Sequence, residues 1–401
     1  MNGIEVKYLF MALALFLCLF SSKLMKKIKL PNVTGYLVFG LLAGPYCLKL
    51  IPAEVVDALS FIPEVALGFI AFSLGAEFKL SYLKKVGKAP LVIAITEALG
   101  AVLCVDLILI LTGHDVAFSL VLGAIAAATA PAATLMVVKQ YKAKGPVTET
   151  LLPVVALDDA VALMCFGLSV AAAKAITAQG EFSLLVTIGK PVLEIVGALG
   201  IGAVLGLAFR FLVKYFTGRG NRLAITYGMI FLCLGICDSL GWSQLLACMM
   251  MSAVLVNTSE AADVVFEQTD RMTPPVFMLF FFLSGAELDL SILPAVGVIG
   301  ILYVLFRVLG KILGAGLGAK LVKAQSEVRK YLGFTLIPQA GVAIGLAATA
   351  MTVVPEHGPQ IRTIILCGTV IYELTGPVIT KLALKKAGEI GQKAETTVAK
   401  S

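Results

Sequence analysis

The chain has 401 residues, is 59% hydrophobic and only 14% charged, and carries a net charge of +7. Soluble domains average about 25% charged residues, so this composition excludes an ordinary soluble fold. The apolar runs lack the period-2 alternation of an outer-membrane barrel, which leaves an all-α polytopic membrane protein.

About 20 apolar residues in a helix cross a bilayer. In chain order the runs predict thirteen spans, over residues 6–24, 33–50, 56–76, 90–112, 116–138, 148–173, 183–214, 222–240, 242–257, 273–288, 293–318, 329–352 and 361–383. The first is followed by lysines, not by a small-residue cleavage site, so it reads as a retained helix. Most of the 32 Lys and Arg fall in loops after odd-numbered spans and in the C-terminal tail, whereas the opposite side holds Lys7, Lys49, Lys174, Lys190 and Arg362. Basic loops stay in the cytoplasm, which predicts an outside N-terminus and a cytoplasmic C-terminus in the cell (inner) membrane. The net charge is thereby explained without a nucleic-acid partner. The eight cysteines lie mostly within apolar runs and read as buried small hydrophobes, and His114 and His357 fall in loops, so a Cys or His metal site is not expected.

Spans 3 and 10 end alike. Gly75-Ala76-Glu77-Phe78-Lys79-Leu80-Ser81-Tyr82-Leu83 matches Gly285-Ala286-Glu287-Leu288-Asp289-Leu290-Ser291-Ile292-Leu293. An odd number of spans separates the copies, so they point in opposite directions, as in the inverted repeats of secondary transporters. The repeat makes span 5 the counterpart of span 12, and both are interrupted, by Thr129-Ala130-Pro131 and by Pro338-Gln339-Ala340-Gly341. Proline removes a backbone donor and breaks the ladder. One such break is ordinarily a kink; two at related positions suit an unwound crossing whose freed carbonyls line a protein cavity.

Span 6 carries Asp158 and Asp159 in Leu157-Asp158-Asp159-Ala160. A charge at the bilayer centre costs at least a few kcal/mol, so adjacent carboxylates there read as a cation or proton site, the bland alternative being acids hidden in a polar cavity. Successive helical residues point about 100° apart, so the two face different targets. Arg307 and Lys311 share one face of span 11; they either snorkel or neutralise the acids. Glu373, in span 13, either pairs with one of them or stabilises the core. Glu64 and Glu194 read as scaffold residues, Glu97 as a residue able to line a core cavity, Glu77 and Glu287 as caps, and His114 as solvated; Asp106 also lies in a span.

Leu30-Pro31-Asn32-Val33-Thr34-Gly35-Tyr36 and the run on to Gly44-Pro45, with Phe72 to Glu77, Leu157-Asp158-Asp159 and Pro338-Gln339, resemble the monovalent cation:proton antiporters, in the branch that includes the Kef-like proteins. The resemblance covers nearly the whole chain. It implies two inverted six-helix repeats with crossed, unwound core helices. It further implies scaffold helices 1–3 over residues 1–88, core helices 4–6 over 89–175, a linker helix over 176–218, scaffold helices 8–10 over 219–290, core helices 11–13 over 291–385 and a polar tail over 386–401. A homodimer follows, with no cofactor beyond the transported Na⁺ or Li⁺ and H⁺. Asp159 becomes the Na⁺-binding carboxylate and Asp158 the partner of a buried base. The electrogenic sodium members of that family usually carry a lysine where Arg307 stands, and arginine keeps its proton, so a second proton falls to Asp158 or Lys311. No soluble nucleotide-binding domain of the Kef-like type is expected in this chain.

The implied mechanism is competition. Burial and a neighbouring acid favour a protonated carboxyl while a nearby base opposes this, leaving Asp159 able to titrate, and Thr129, Ala130 and adjacent carbonyls complete an oxygen shell. Rival readings are a K⁺/H⁺ antiporter of the same fold, a Na⁺-coupled organic-anion symporter and an intramembrane aspartyl protease. The last needs a second catalytic motif, for which Cys237-Asp238-Ser239 is a poor candidate.

Overall fold

The computed structural model describes residues 3–76, 78–81, 87–176, 184–290, 294 and 296–390. Its helices are α1 (Gly3–Lys27), α2 (Asn32–Ala43), α3 (Ala53–Ala58), α4 (Phe61–Gly75), α5 (Ala89–Leu111), α6 (Val116–Ala126), α7 (Pro131–Tyr141), α8 (Pro146–Ile176), α9 (Leu184–Tyr215), α10 (Arg219–Leu240), α11 (Gln244–Thr258), α12 (Ala262–Met272), α13 (Pro274–Ala286), α14 (Gly297–Leu321), α15 (Ser326–Thr335), α16 (Gly341–Val353) and α17 (Gly358–Lys386). Among the described residues there is no strand. Eight stretches are long and apolar enough to cross a membrane, counting α6 and α7 as one, and five shorter apolar helices accompany them.

Span 5 resolves into α6 and α7 and span 12 into α15 and α16, with residues 127–130 and 336–340 unwound between the halves. Pro131 opens α7 at a position where its missing N–H costs nothing. Boundaries shift elsewhere. Span 2 stops at Ala43 rather than at residue 50, and span 3 is divided into α3 and α4. The hydropathy reading missed α12, whose buried Ala262, Val265 and Thr269 alternate with Asp263, Glu267 and Asp270 as a surface helix requires. Glu77, residues 82–83 and 291–293 of the repeated motif, and the tail over 391–401 lie outside the described residues.

α2 packs on α13 and α4 on α11, while α5 packs on α14. The last pairing is unusually close. A Cβ on Gly310 would come 2.3 Å from the Gly100 carbonyl oxygen, and one on Gly314 would come 2.7 Å from the Glu97 Cα. Small residues four apart let two backbones touch in lipid, where apolar burial between helices supplies no drive. Gly314→Val should therefore force α14 off α5 at about 1–3 kcal/mol, lowering the thermal unfolding midpoint and the exchange rate together. An unchanged midpoint would show that the approach is not needed.

The far end of α17 closes on the start of α8. The Glu389 carboxylate accepts from the Val147 N–H at 2.6 Å, the Thr148 N–H at 2.8 Å and the Thr148 hydroxyl at 2.6 Å. It thus caps, from 241 residues away, the helix that carries Asp158 and Asp159, and nothing local in the sequence signals it. Glu389→Ala should cost about 1–2 kcal/mol, read as faster amide hydrogen exchange at Val147 and Thr148 than in the parent protein.

Most cysteines are buried, as read from the sequence, and none is disulfide-bonded among the described residues; Cys104 is half-buried and Cys47 exposed. His114 is half-buried with its ring edge-on to Phe118, not solvated. His357 Nε2 lies 3.1 Å from Asp115, the residue that caps α6.

Candidate ion-binding site

Unwinding leaves carbonyls without ladder partners, and in a low-dielectric interior each must be satisfied. The bases of α14 do this. Tyr303, Arg307 and Lys311 recur every four residues, all fully buried on the face turned to the crossing. The Arg307 guanidinium donates from Nε to the Ala126 carbonyl at 3.0 Å, from Nη1 to Ile337 at 2.7 Å and from Nη2 to Ala128 at 2.7 Å. It also sits 4.5 Å from the centre of the Tyr372 ring. Gln339 Nε2 donates to the Ile125 carbonyl at 3.0 Å, and its oxygen accepts from the Tyr303 hydroxyl at 2.9 Å. The Ala130 N–H donates to Pro338 at 2.8 Å, tying the two breaks together. The C-terminal ends of α6 and α15 carry partial negative charge, so cations at this point are favoured twice.

Lys311 is the hub of the ionisable groups. Its ammonium donates to the Ala127 carbonyl, to the Thr129 hydroxyl at 2.7 Å and to Asp158 Oδ2 at 3.3 Å, and lies 2.7 Å from Glu97 Oε2. Two carboxylates therefore flank one ammonium in full burial. Removing a partner from such an arrangement strands a charge, which is why it holds its geometry. Asp159, one residue along α8, is 2% exposed, and among the described residues its Oδ1 has no hydrogen-bond partner.

Several expectations change here. Arg307 meets no acid among the described residues: its Nε, Nη1 and Nη2 each donate to a backbone carbonyl, so Lys311 is the base facing Asp158. No base among the described residues lies within ion-pair distance of Glu373, which is buried instead in the wall of a cavity with Thr129 and Ala130. Thr129 is already engaged by Lys311 rather than free for a cation. Glu97 proves to be a member of the cluster, and the sequence signal for it was a lone acid in mid-span. Glu64 is exposed, and Glu287 lines the cavity.

Two spaces approach the acids. The cavity, about 390 Å³, reaches Thr129, Ala130 and Gly341 from the end of the bundle where α13 finishes. A largely apolar crevice of about 450 Å³ enters between α8 and α11 from the other end and reaches Leu157 and Ala160. Asp158 and Asp159 lie between Leu157 and Ala160 on one side and Thr129, through Lys311, on the other. Among the described residues no three His, Cys, Asp or Glu converge as a metal-chelating group.

The chain is 27% identical over 375 residues to the ammonium/H⁺ antiporter subunit AmhT of Alkalihalophilus pseudofirmus, covering 90% of this chain and 91% of that protein. Its fold is similar to that of the sodium proton antiporter MjNhaP1 from Methanocaldococcus jannaschii. One structure, at pH 8, aligns over 96% of this chain and 97% of that chain with a TM-score of 0.71 and 21% identity. A second, an electron-microscopy structure, aligns over 98% and 100% with a TM-score of 0.73 and 21% identity. Residues 12–386 match the family described as "Sodium/hydrogen exchanger, transmembrane", and with that span covering the core, the breaks and both acids, the chain belongs to the transmembrane sodium/hydrogen exchanger family.

Proposed function

We propose that this chain exchanges Na⁺ or Li⁺ for H⁺ by alternating access, with Asp159 as the carboxylate that holds either the cation or a proton. The observation that carries this reading is the buried Asp159 carboxyl, whose Oδ1 has no partner while neighbouring Asp158 is held by Lys311. A group already neutralised makes a poor ion site; an unpaired one beside a fixed ammonium can exchange occupants. Helices α5–α8 and α14–α17 form the moving core, α1–α4 and α10–α13 the scaffold, and α9 the link. The crosswise packing of α2 on α13 and α4 on α11 supports the inverted repeat. At the crevice end, core meets scaffold where Lys139 pairs with Asp270 at 2.6 Å and Gln140 accepts from the Asn32 N–H at 2.7 Å. Core movement would break these contacts.

The protein acts as a homodimer in the cell membrane, with its N-terminus outside and its C-terminus in the cytoplasm. The dimer is tested by cross-linking in native membranes. Asp158 releases the second proton, so that two protons exchange for one cation. Everted vesicles loaded with a pH-sensitive dye and challenged with Na⁺, Li⁺, K⁺ and NH₄⁺ should dequench with Na⁺ and Li⁺; silence with every cation rejects the antiporter. Ammonium belongs in the series because the relative AmhT is named for it. In proteoliposomes, an imposed membrane potential should change the rate, and indifference to it removes the two-for-one stoichiometry.

A further inference from the structure

We propose that the cavity beside the crossing is a second cation site, at which a monovalent ion, still partly hydrated, is held by Glu373 and Thr369 on its way to Asp159. The proposal rests on the exchange reading above and names a site additional to the aspartate pair.

Thr369 and Glu373 are one helical turn apart on α17, each 4% exposed, and both line the cavity. A threonine in a helix ordinarily bonds back to the carbonyl four residues earlier, as Thr363 and Thr375 of this same helix do. Thr369, like Thr380 further along, does not: among the described residues its buried hydroxyl has no partner, and of the two only Thr369 lines the cavity. Beside it, Glu373 is a buried carboxylate with no base within ion-pair distance among the described residues. An orphan hydroxyl next to an unpaired acid is a costly pair in lipid-facing protein unless something else satisfies both.

The titratable residues of the cavity wall are acids. Its described lining includes Glu287, Asp289 and Glu373, and no Lys, Arg or His. The N-termini of α7 and α16 also face this space and bring roughly half a positive charge each. The volume of about 390 Å³ is large against the ~30 Å³ a water occupies. The acids do not converge into a chelating group. An ion here keeps much of its water, with Glu373 and Thr369 as its protein contacts and Ser284 within the same wall.

The test uses purified protein carrying Asp159→Asn, which removes the primary carboxylate, and radioactive Na⁺ read by scintillation proximity. Saturable binding should persist, displaced by unlabelled Li⁺ or NH₄⁺. Adding Glu373→Gln or Thr369→Val should weaken it roughly tenfold, equivalent to about 1.4 kcal/mol. Thr369→Val keeps the side-chain volume and removes an unpartnered hydroxyl, so it guards against a loss that merely reports misfolding. Absence of binding to the Asp159→Asn protein overturns the site, as does an unaltered affinity in either added variant. Failure of the parent protein to exchange ions in vesicles would instead remove the antiporter reading and leave the binding result standing.

Discussion

Asp159→Asn is expected to abolish exchange, a fall of more than about 100-fold in the vesicle assay. The amide is nearly isosteric, so the packing of α8 should survive; what disappears is the carboxylate of the cluster that, unlike Glu97 and Asp158, forms no ion pair with Lys311. An amide neither takes a proton near neutral pH nor supplies the charge that offsets the cost of bringing a bare cation into the bilayer interior. Unfolding should be little affected, since the Oδ1 of Asp159 holds no hydrogen bond among the described residues. Retention of Na⁺-driven dequenching by this variant would transfer the role to Asp158 or Glu97 and undo the mechanism.

The second large effect is structural. Arg307→Ala should destabilise the protein by about 3 kcal/mol or more, because it leaves the carbonyls of Ala126, Ala128 and Ile337 buried without donors, each at about 1–3 kcal/mol. Arg307→Lys should not rescue it. An ammonium is a single point of charge, whereas three carbonyls, from the end of α6 and the two unwound segments, are reached here by a planar fork. The measurement is the thermal unfolding midpoint in detergent, with exchange assayed below it. Lys311→Met makes the useful contrast. It strands Glu97 and Asp158 without their shared ammonium, so their protonation changes and the pH profile of exchange should move along with stability. A stable Arg307→Ala protein with a shifted pH profile would reverse the assignment of the two bases.

The geometry makes Arg307 a backbone staple and Lys311 the electrostatic hub, although the two looked equivalent in the linear chain. Spacing of four residues was enough to place both on one face, and Tyr303 extends the same stripe one turn back. Which one meets an acid depends on how far α14 slides along α5 and the crossing. That depth is governed by the backbone contact at Gly310 and Gly314. Glu97 enters the cluster for the same reason: its Cα lies against Gly314, so its carboxylate arrives at Lys311. Glu389 was still less legible, since its partners are N–H groups of a helix far away in the chain.

Hydropathy, proline placement and helical spacing act over a few residues, and they sufficed to determine an all-helical membrane protein, the breaks at Pro131 and Pro338, and an acid pair that cannot share a target. The tertiary structure alone decided that Lys311 rather than Arg307 holds Asp158, that Glu97 shares that ammonium, and that Glu373 lines a cavity with no base in reach among the described residues. Those outcomes turn on ångström-scale approach between helices remote in the chain. Burial sharpens every charge contact made there, and no local pattern encodes the distance.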